Sequence, residues 1–487
     1  MLPRVCIVGS GTSGLVTALL FKSFFPNMKV TVVSSKEIGI IGVGEGSTEH
    51  WRHNFQVPCA IDVNEMIREC SATHKYGIKF ENWTTHTPYY YHSISGEAQG
   101  PNNFNASYSF AHFNNWFLTP AMITHLENNK VVKNPENPHE TTNQFHFDTF
   151  KLNEYLKKLA VRRNITLGEG IIAQIERNPE NGYITSVLTD TKLKCEADFF
   201  IDASGFNRVL MSQLTENDEF VSYRKYLPCD SAAVFPTPPD ESGQIRPYTR
   251  ARAMPNGWMW EIPTQERRGN GYVFASDFCS DEQAVKELSE AHGKDIEPAR
   301  IIKFKSGYFK NGILFNCASI GLASSFVEPL EATAITTSIQ QARMVASLLP
   351  TFLTGKEAQV KQYTQRYENL LENIVTMISL HYMSDRTDTE MWKAQQHAEL
   401  PETLKVLLDL WKERMPEKFD VPYYGHEMFL SEHLWHVAQG QGVLSKEIAL
   451  EQLNAYCSHQ ACAKIYTGKK MEQAKTRKID HALIFKA

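Results

Sequence analysis

Short apolar runs and one helical stretch alternate at the start of the chain. Arg4-Val5-Cys6-Ile7-Val8 is strand-like and ends at Gly9, a helical stretch from Ser13 stops before Pro26, and Val30-Thr31-Val32-Val33 is strand-like again. This order predicts a βαβ unit. Its first turn is Gly9-Ser10-Gly11-Thr12-Ser13-Gly14, where glycines permit a tight turn and let a pyrophosphate approach the amides at the helix N-terminus. Residues 168–176, 184–195 and 197–202 read as strands returning to the same sheet, and residues 226–278 as a second sheet. Asn- and Pro-rich stretches at 93–106 and 127–143 read as loops. Beyond residue 356 the pattern turns helical, with Val360, Tyr363, Tyr367, Leu370, Ile374 and Ile378 recurring at three- and four-residue steps. No internal repeat is present.

Composition narrows the class. In 487 residues, 42% are hydrophobic and 11% aromatic, enough for a large α/β core. A formal net charge of -5 without a long basic run argues against nucleic acid and toward a diffusible small molecule. The apolar run from Leu15 to Phe25 contains Lys22 and is too short for a membrane span, and it follows a glycine turn rather than a basic leader; neither export nor a membrane anchor is expected, and the location expected is cytoplasmic. The 9 cysteines include no C-x-x-C. Cys457 and Cys462, with His459 between them, lack a second ligand pair, so reduced thiols and no metal site are expected.

Several strings are not explained by a nucleotide-binding fold alone. Trp258-Met259-Trp260-Glu261-Ile262-Pro263 reads on its own as core packing. Lys79, in Lys75-Tyr76-Gly77-Ile78-Lys79-Phe80-Glu81-Asn82-Trp83, reads alone as a solvated strand residue. Glu331, in Phe326-Val327-Glu328-Pro329-Leu330-Glu331-Ala332-Thr333, reads as a carboxylate near a helix start. With Gly42-Val43-Gly44-Glu45-Gly46-Ser47-Thr48, Phe145-His146-Phe147-Asp148, Asp198-Phe199-Phe200-Ile201-Asp202-Ala203-Ser204-Gly205-Phe206 and Ala318-Ser319-Ile320-Gly321-Leu322-Ala323, these strings resemble the flavin-dependent halogenases of the tryptophan halogenase type. The resemblance covers nearly all of residues 4–395 and weakens beyond.

That resemblance implies a flavin monooxygenase-like α/β fold. Residues 1–356 would form an FAD-binding domain interleaved with a substrate sheet (approximately 80–145 and 215–300), and residues 357–487 a mainly helical substrate-side region. It implies halogenation of an electron-rich aromatic small molecule, of indole or phenol type, using FAD, O2 and halide. In the family a flavin hydroperoxide is attacked by halide, and hypohalous acid travels to a lysine beside the substrate, whose place Lys79 takes. Glu331 corresponds to the active-site glutamate that stabilises positive charge on the ring, and the backbone amides of Thr333 and Ala334 to the halide site. Trp258 and Trp260 match the pair that separates substrate from flavin. Gly9, Gly11, Thr12, Ser13, Gly14, Ser34, Glu45, Gly46, Ile172, Leu322 and Ile335 are the implied FAD contacts. No second dinucleotide fingerprint occurs, so reduced flavin is expected from a separate flavin reductase, met transiently or by diffusion. A homo-oligomer is left open.

The chain departs from the family pattern at several points. Ser34-Ser35-Lys36 stands where an acidic residue usually meets the ribose, which makes Glu45 the substitute acid and loose FAD binding the expectation. Ala332 and Ala334 replace the commoner serine and glycine beside the anion site, from which bromide or iodide is expected over chloride. Tyr423-Tyr424, Glu432 and Trp435 hint at a substrate clamp without the tryptophan-binding spacing, and His92, Phe104 and Phe113 are candidate ring-stacking residues. The alternatives are an aromatic hydroxylase on the same scaffold, against which Lys79, the tryptophan pair and Leu322 stand, and a flavin-binding protein without halogenase activity.

Overall fold

The computed structural model describes residues 3–40, 42, 45–93, 109, 112–113, 128–132, 136–137, 139, 142–217, 219–356, 358–422, 425–455 and 478–485. Phe104, Tyr423, Tyr424, Cys457, His459 and Cys462, nearly all of the loop at 93–106 and part of that at 127–143 lie outside the described residues, as does the side chain of Glu45.

The elements that position the site are, in chain order, β1 (Arg4–Val8), α1 (Thr12–Phe24), β2 (Lys29–Ser34), β3 (Glu45–Gly46), β4 (Thr73–Lys75), β5 (Gly77–Glu81), β6 (Tyr89–Ser93), β7 (Gln144–Phe147), β8 (Thr166–Glu169), β9 (Phe199–Asp202), β10 (Ser231–Thr237), β11 (Thr249–Met254), β12 (Gly257–Pro263), β13 (Arg268–Phe274), β14 (Arg300–Lys303), β15 (Cys317–Ser319), α2 (Thr333–Phe352), α3 (Ala358–His381) and α4 (Ser431–Gln441). The first sheet runs β15-β9-β1-β2-β8, all parallel, with Ile313–Leu314 added antiparallel at the β15 edge. Strand β1 sits between β9 and β2 and is buried from Val5 to Val8, as its unbroken apolar run requires of a parallel strand covered on both faces. The predicted βαβ unit is present.

The returning strands divide differently from the expectation. Residues 166–169 and 199–202 join the first sheet, whereas Ile172–Arg177, Ile184–Thr189 and Lys194–Glu196 form a separate antiparallel sheet of three strands. Their alternation explains this. Ile172–Arg177 has no buried residue, which suits a sheet wet on one face and not a central parallel strand.

A seven-stranded sheet, in the order β14-β10-β13-β12-β11-β5-β6, carries the tryptophan string on its middle strand. It draws β5 and β6 from early in the sequence and the rest from residues 231–303, with β5 lying parallel to β11. Lys75 ends β4, in a small antiparallel sheet with β7 and β3, and the chain crosses at Tyr76 to begin β5 in the seven-stranded sheet. Helix α3 buries Tyr363, Tyr367, Leu370, Ile374 and Ile378, the stripe read from the sequence. It delivers His381, its last residue, to the site. Among the described residues no helix is long and apolar enough to cross a membrane.

Candidate active site

A cavity of about 490 Å³ separates the two large sheets. It is lined by Gly9, Gly11, Thr12 and Ser13 of the glycine turn, by Ser34 and Ser35 after β2, and by Ile172, Leu322, Ile335, Gly46, Trp258, Trp260, Ala332, Thr333 and Ala334. A Cβ on Gly11 would meet no atom within 4 Å, so the turn is open toward the space it borders. Gly9 adopts φ +114 and its Cβ would lie 2.2 Å from the Ala203 carbonyl; Gly14 is needed for a different reason, since its Cβ would lie 2.0 Å from the Gly9 carbonyl. Gly14 therefore packs helix against strand and does not line the cavity. Helix α1 begins at the cavity with no side-chain cap, leaving its first amides for an anion. The space, the apolar walls and this terminus fit a dinucleotide.

Trp258 and Trp260 alternate onto one face of β12, ring centroids 6.0 Å apart. Both line the cavity, and neither indole N–H has a hydrogen-bond partner among the described residues. The glycine at 271 makes room for Trp260, because a Cβ there would fall 1.9 Å from the indole ring.

Helix α2 also starts at the cavity, beside α1, with Ser338 hydrogen-bonded to Ser13 at 2.8 Å. Ala332 precedes it in the left-handed region, φ 57, and no side chain caps it, so the amides of Thr333 and Ala334 head a helix that borders the cavity.

Lys79 is not where the sequence placed it. On β5 side chains alternate, and Ile78 lines the cavity, so Lys79 projects from the opposite face. There it pairs with Glu81 at 3.4 Å and lies 4.2 Å over the Tyr89 ring, while Arg250 of β11 holds the same Glu81 at 2.6 Å. The lysine next to Glu331 is Lys75. It is fully buried, and its Nζ donates to the Ser47 carbonyl at 3.0 Å. A Cβ on Gly46 would lie 3.4 Å from that Nζ and 3.6 Å from Cβ of Ala332, so Lys75 stands one residue behind the cavity wall, at the corner where Glu331 sits. Burial pulls its ammonium down to about 8, with Glu331 and then Glu49 opposing the fall.

Glu331 is also fully buried. Its Oε1 accepts from His381 Nε2 at 2.6 Å, and His92 Nδ1 lies 3.0 Å from Oε1 and 2.9 Å from Oε2. Burial alone would raise its carboxyl, but the charge of His92 and the hydrogen bonds from His381 and His92 hold it well below the usual carboxylate range. His381 is fixed in turn. Its ring stacks on Phe80 at 4.3 Å, Tyr90 donates to its Nδ1 at 2.8 Å, and Gln441 of α4 donates to the Tyr90 oxygen at 3.0 Å. Burial lowers the His381 imidazole against the pull of Glu331.

The structure thus gathers Gly9, Gly11, Thr12, Ser13, Ser34, Gly46, Ile172, Leu322, Ile335, Thr333, Ala334, Trp258 and Trp260 around one cavity, and sets Glu331 immediately behind it. Of Glu45, the backbone pairs with Phe147. Phe113 is two-fifths exposed, and Glu432 and Trp435 are buried on α4. Sequence reasoning named Lys79 and did not weigh Lys75 or His381, the two residues that share the surroundings of Glu331; the signal for His381 was only its place at the end of the apolar stripe of α3.

An uncapped helix at a glycine turn, opening into an apolar cavity between two sheets, defines a dinucleotide-binding α/β class, and the comparisons narrow it. The tryptophan halogenase family model matches residues 4–455. The chain is 31% identical to the tryptophan 6-halogenase SttH of Streptomyces toxytricini, over 86% of each chain, and 29% identical to the tryptophan 7-halogenase RebH of Lentzea aerocolonigenes, over 87% and 85%. The solved structure of SttH superposes with a TM-score of 0.87 at 27% identity, covering 99% of each chain. A tryptophan halogenase from Shewanella frigidimarina NCIMB 400 shares the fold, with a TM-score of 0.90 at 24% identity over 100% of this chain and 97% of the other. The chain belongs to the tryptophan halogenase family, and it is a flavin-dependent halogenase acting on an aromatic substrate.

Proposed function

We propose that this enzyme halogenates an electron-rich indole or phenol, with FAD as the flavin and Lys75 as the residue that presents halogen to the ring. The observation that carries this reading is a buried Lys75 within electrostatic reach of a buried Glu331 behind the wall of the dinucleotide-shaped cavity. Bound reduced FAD, supplied by a separate reductase, would with O2 and halide provide hypohalous acid. Gly9, Gly11, Thr12 and Ser13 would hold its pyrophosphate at the α1 amides, Ser34 the adenosine side, and Leu322 and Ile335 the ring system. Thr333 and Ala334 would present the α2 amides to halide.

Lys75 donates a hydrogen bond to hypohalous acid as an ammonium; with its proton leaving near pH 8, that form prevails at neutral pH. Trp258 and Trp260 keep a substrate ring away from the flavin, so halogen reaches it only past Lys75. Glu331 keeps Lys75 charged and offsets positive charge on the ring.

The test is mass spectrometry of an indole and phenol panel incubated with enzyme, FAD, a flavin reductase, O2 and each halide in turn. A halogenated product that depends on halide is expected, with bromide or iodide outcompeting chloride at equal concentration. Peroxide without halogenated product across the panel rejects the reading.

A further inference from the structure

Among the described residues that line the cavity, one side chain carries a charge. It is Arg300, at the start of the edge strand β14. The strand aims it. Arg300, Ile302 and Phe304 line the cavity at alternate positions, while Lys303 turns to the other face, where it pairs with Asp281 and lies over the Phe274 ring. Arg300 sits opposite Val234 of β10, which also lines the cavity, and the backbone around it is held: the Ala299 amide donates to the Val234 carbonyl and the Phe304 amide to the Asp230 carbonyl, each at 2.8 Å.

The guanidinium donates to one backbone oxygen, the Gly42 carbonyl, at 3.2 Å. Gly42 is pinned from another side, since a Cβ there would fall 2.9 Å from the Phe150 ring. Arg250, Arg267 and Arg268 each hold a carboxylate, whereas none stands within ion-pair distance of Arg300 among the described residues. A guanidinium has five donors in a rigid fork and stays ionised. The tether at Gly42 fixes one corner of that fork and leaves the rest of it at the wall of a cavity with no other charged lining.

A dinucleotide has a matching need. Its pyrophosphate is doubly charged, the α1 N-terminus answers with about half a unit of positive charge, and burying the remainder unpaired is costly. Two observations set Arg300 toward the pyrophosphate and away from the reacting end of the flavin. The backbone it tethers belongs to the stretch leaving β2, whose Ser34, Ser35, Ile38, Gly39 and Ile40 line the same cavity. Across the sheet, Arg300 is in register with Val234, then Gly271, then Trp260, so its backbone stands about 14 Å from that tryptophan at roughly 4.8 Å per strand.

Resting on the FAD-dependent reading above, we propose that Arg300 is the counter-charge of the FAD pyrophosphate, holding from the seven-stranded sheet the anion that the α1 amides hold from the first sheet.

The experiment measures, by calorimetry, the affinity of wild type, Arg300→Gln and Arg300→Lys for three ligands: FAD, ADP, which keeps the pyrophosphate and lacks the flavin, and riboflavin, which keeps the flavin and lacks the pyrophosphate. Thermal melts report folding. Losing charge-assisted hydrogen bonds costs about tenfold to a hundredfold, so Arg300→Gln should weaken FAD and ADP by that factor and leave riboflavin within about twofold. It should also flatten the salt dependence of FAD affinity. Arg300→Lys keeps the charge without the fork and should lose less of FAD and ADP affinity while keeping the salt dependence; it decides alone should the glutamine variant not fold. Unchanged FAD and ADP affinity overturns the proposal. An equal loss for riboflavin also overturns it, by assigning Arg300 to the backbone at Gly42, and so does a loss confined to reduced FAD with ADP unaffected, which puts the charge at the flavin ring. Where riboflavin binds too weakly to measure, the ADP comparison decides. Should wild type bind no FAD, the reading of the function fails instead, independently of Arg300.

Discussion

Lys75 and Lys79 are four residues apart in one string, yet the fold gives them opposite environments. Lys75 ends a strand of a small sheet, is wholly buried, and shares its surroundings with Glu331 and Glu49. Lys79 lies in the seven-stranded sheet on the face opposite Ile78, about one-fifth exposed and paired with Glu81. The chain leaves one sheet and enters another at Tyr76, so neither strand nor helix periodicity relates the two lysines. A lysine is made reactive by what removes its water and sets its charge, and only Lys75 has both.

The largest expected effect follows from Lys75→Ala. Halogenated product should fall by about two to four decades, the usual cost of losing a positioned acid or nucleophile, while FAD still binds because its proposed contacts lie elsewhere in the cavity. Product yield measured beside FAD titration checks both halves. A Lys75→Ala enzyme that halogenates at the wild-type rate would end the contrast between the two lysines.

Glu331→Gln should cost less, about one to two decades, because it removes a stabilising charge and leaves Lys75 in place. It should also move the pH profile. Glu331 is the larger of the two carboxylate influences that raise Lys75, so removing its charge shifts the lysine further below about 8. With the ammonium as the working form, wild-type activity falls as pH rises through about 8, and the fall begins at lower pH in Glu331→Gln. A profile that instead rises through pH 8 would assign the work to the neutral amine.

Much of this site was legible in the sequence, though unevenly. The glycine turn, the cavity-facing tryptophans and the start of α2 depend on local pattern: a turn between strand and helix, an i, i+2 repeat on one strand, and a short run before a helix. Their positions at the cavity follow from that local pattern. Lys75 and His381 depend on long-range packing. Lys75 meets Glu331 only because β4, β7 and β3 form a sheet beside the start of α2, and His381 meets it only because α3 ends beneath β5 and β6. The hairpin at residues 172–196 was assigned to the wrong sheet for a related reason: alternation identifies a strand, and the partner it pairs with is a tertiary fact.

The buried lysine should also be visible in stability. Its ammonium falls from 10.5 in the unfolded chain to about 8 when folded, so below pH 8 both states hold the proton and the fold bears the full burden, on the order of 3 kcal/mol. Between about pH 8 and 10.5 the unfolded state binds more protons, and this group's contribution to stability rises with pH. Lys75→Met should therefore melt higher than wild type at pH 7, with the gap closing toward pH 10. Thermal melts at the two pH values decide it, and a lower melting temperature at pH 7 would show that the hydrogen bond to Ser47 outweighs desolvation.

The smallest effect is expected at Lys79, and it is the sharpest control on the comparison. Lys79→Ala removes a partly exposed ion pair with Glu81 and a contact over Tyr89, interactions each worth up to about 1 kcal/mol. Arg250 continues to hold Glu81, so no carboxylate is left unpaired. Halogenation should stay within about twofold of wild type, and the melting temperature should fall slightly, more at low ionic strength than at high because salt already screens the pair. A loss of product comparable to that of Lys75→Ala would mean that halogen travels on the Lys79 face of β5, away from the cavity that Ile78 lines. It would then be the placement of the substrate in this fold, rather than the choice between two lysines, that needs redrawing.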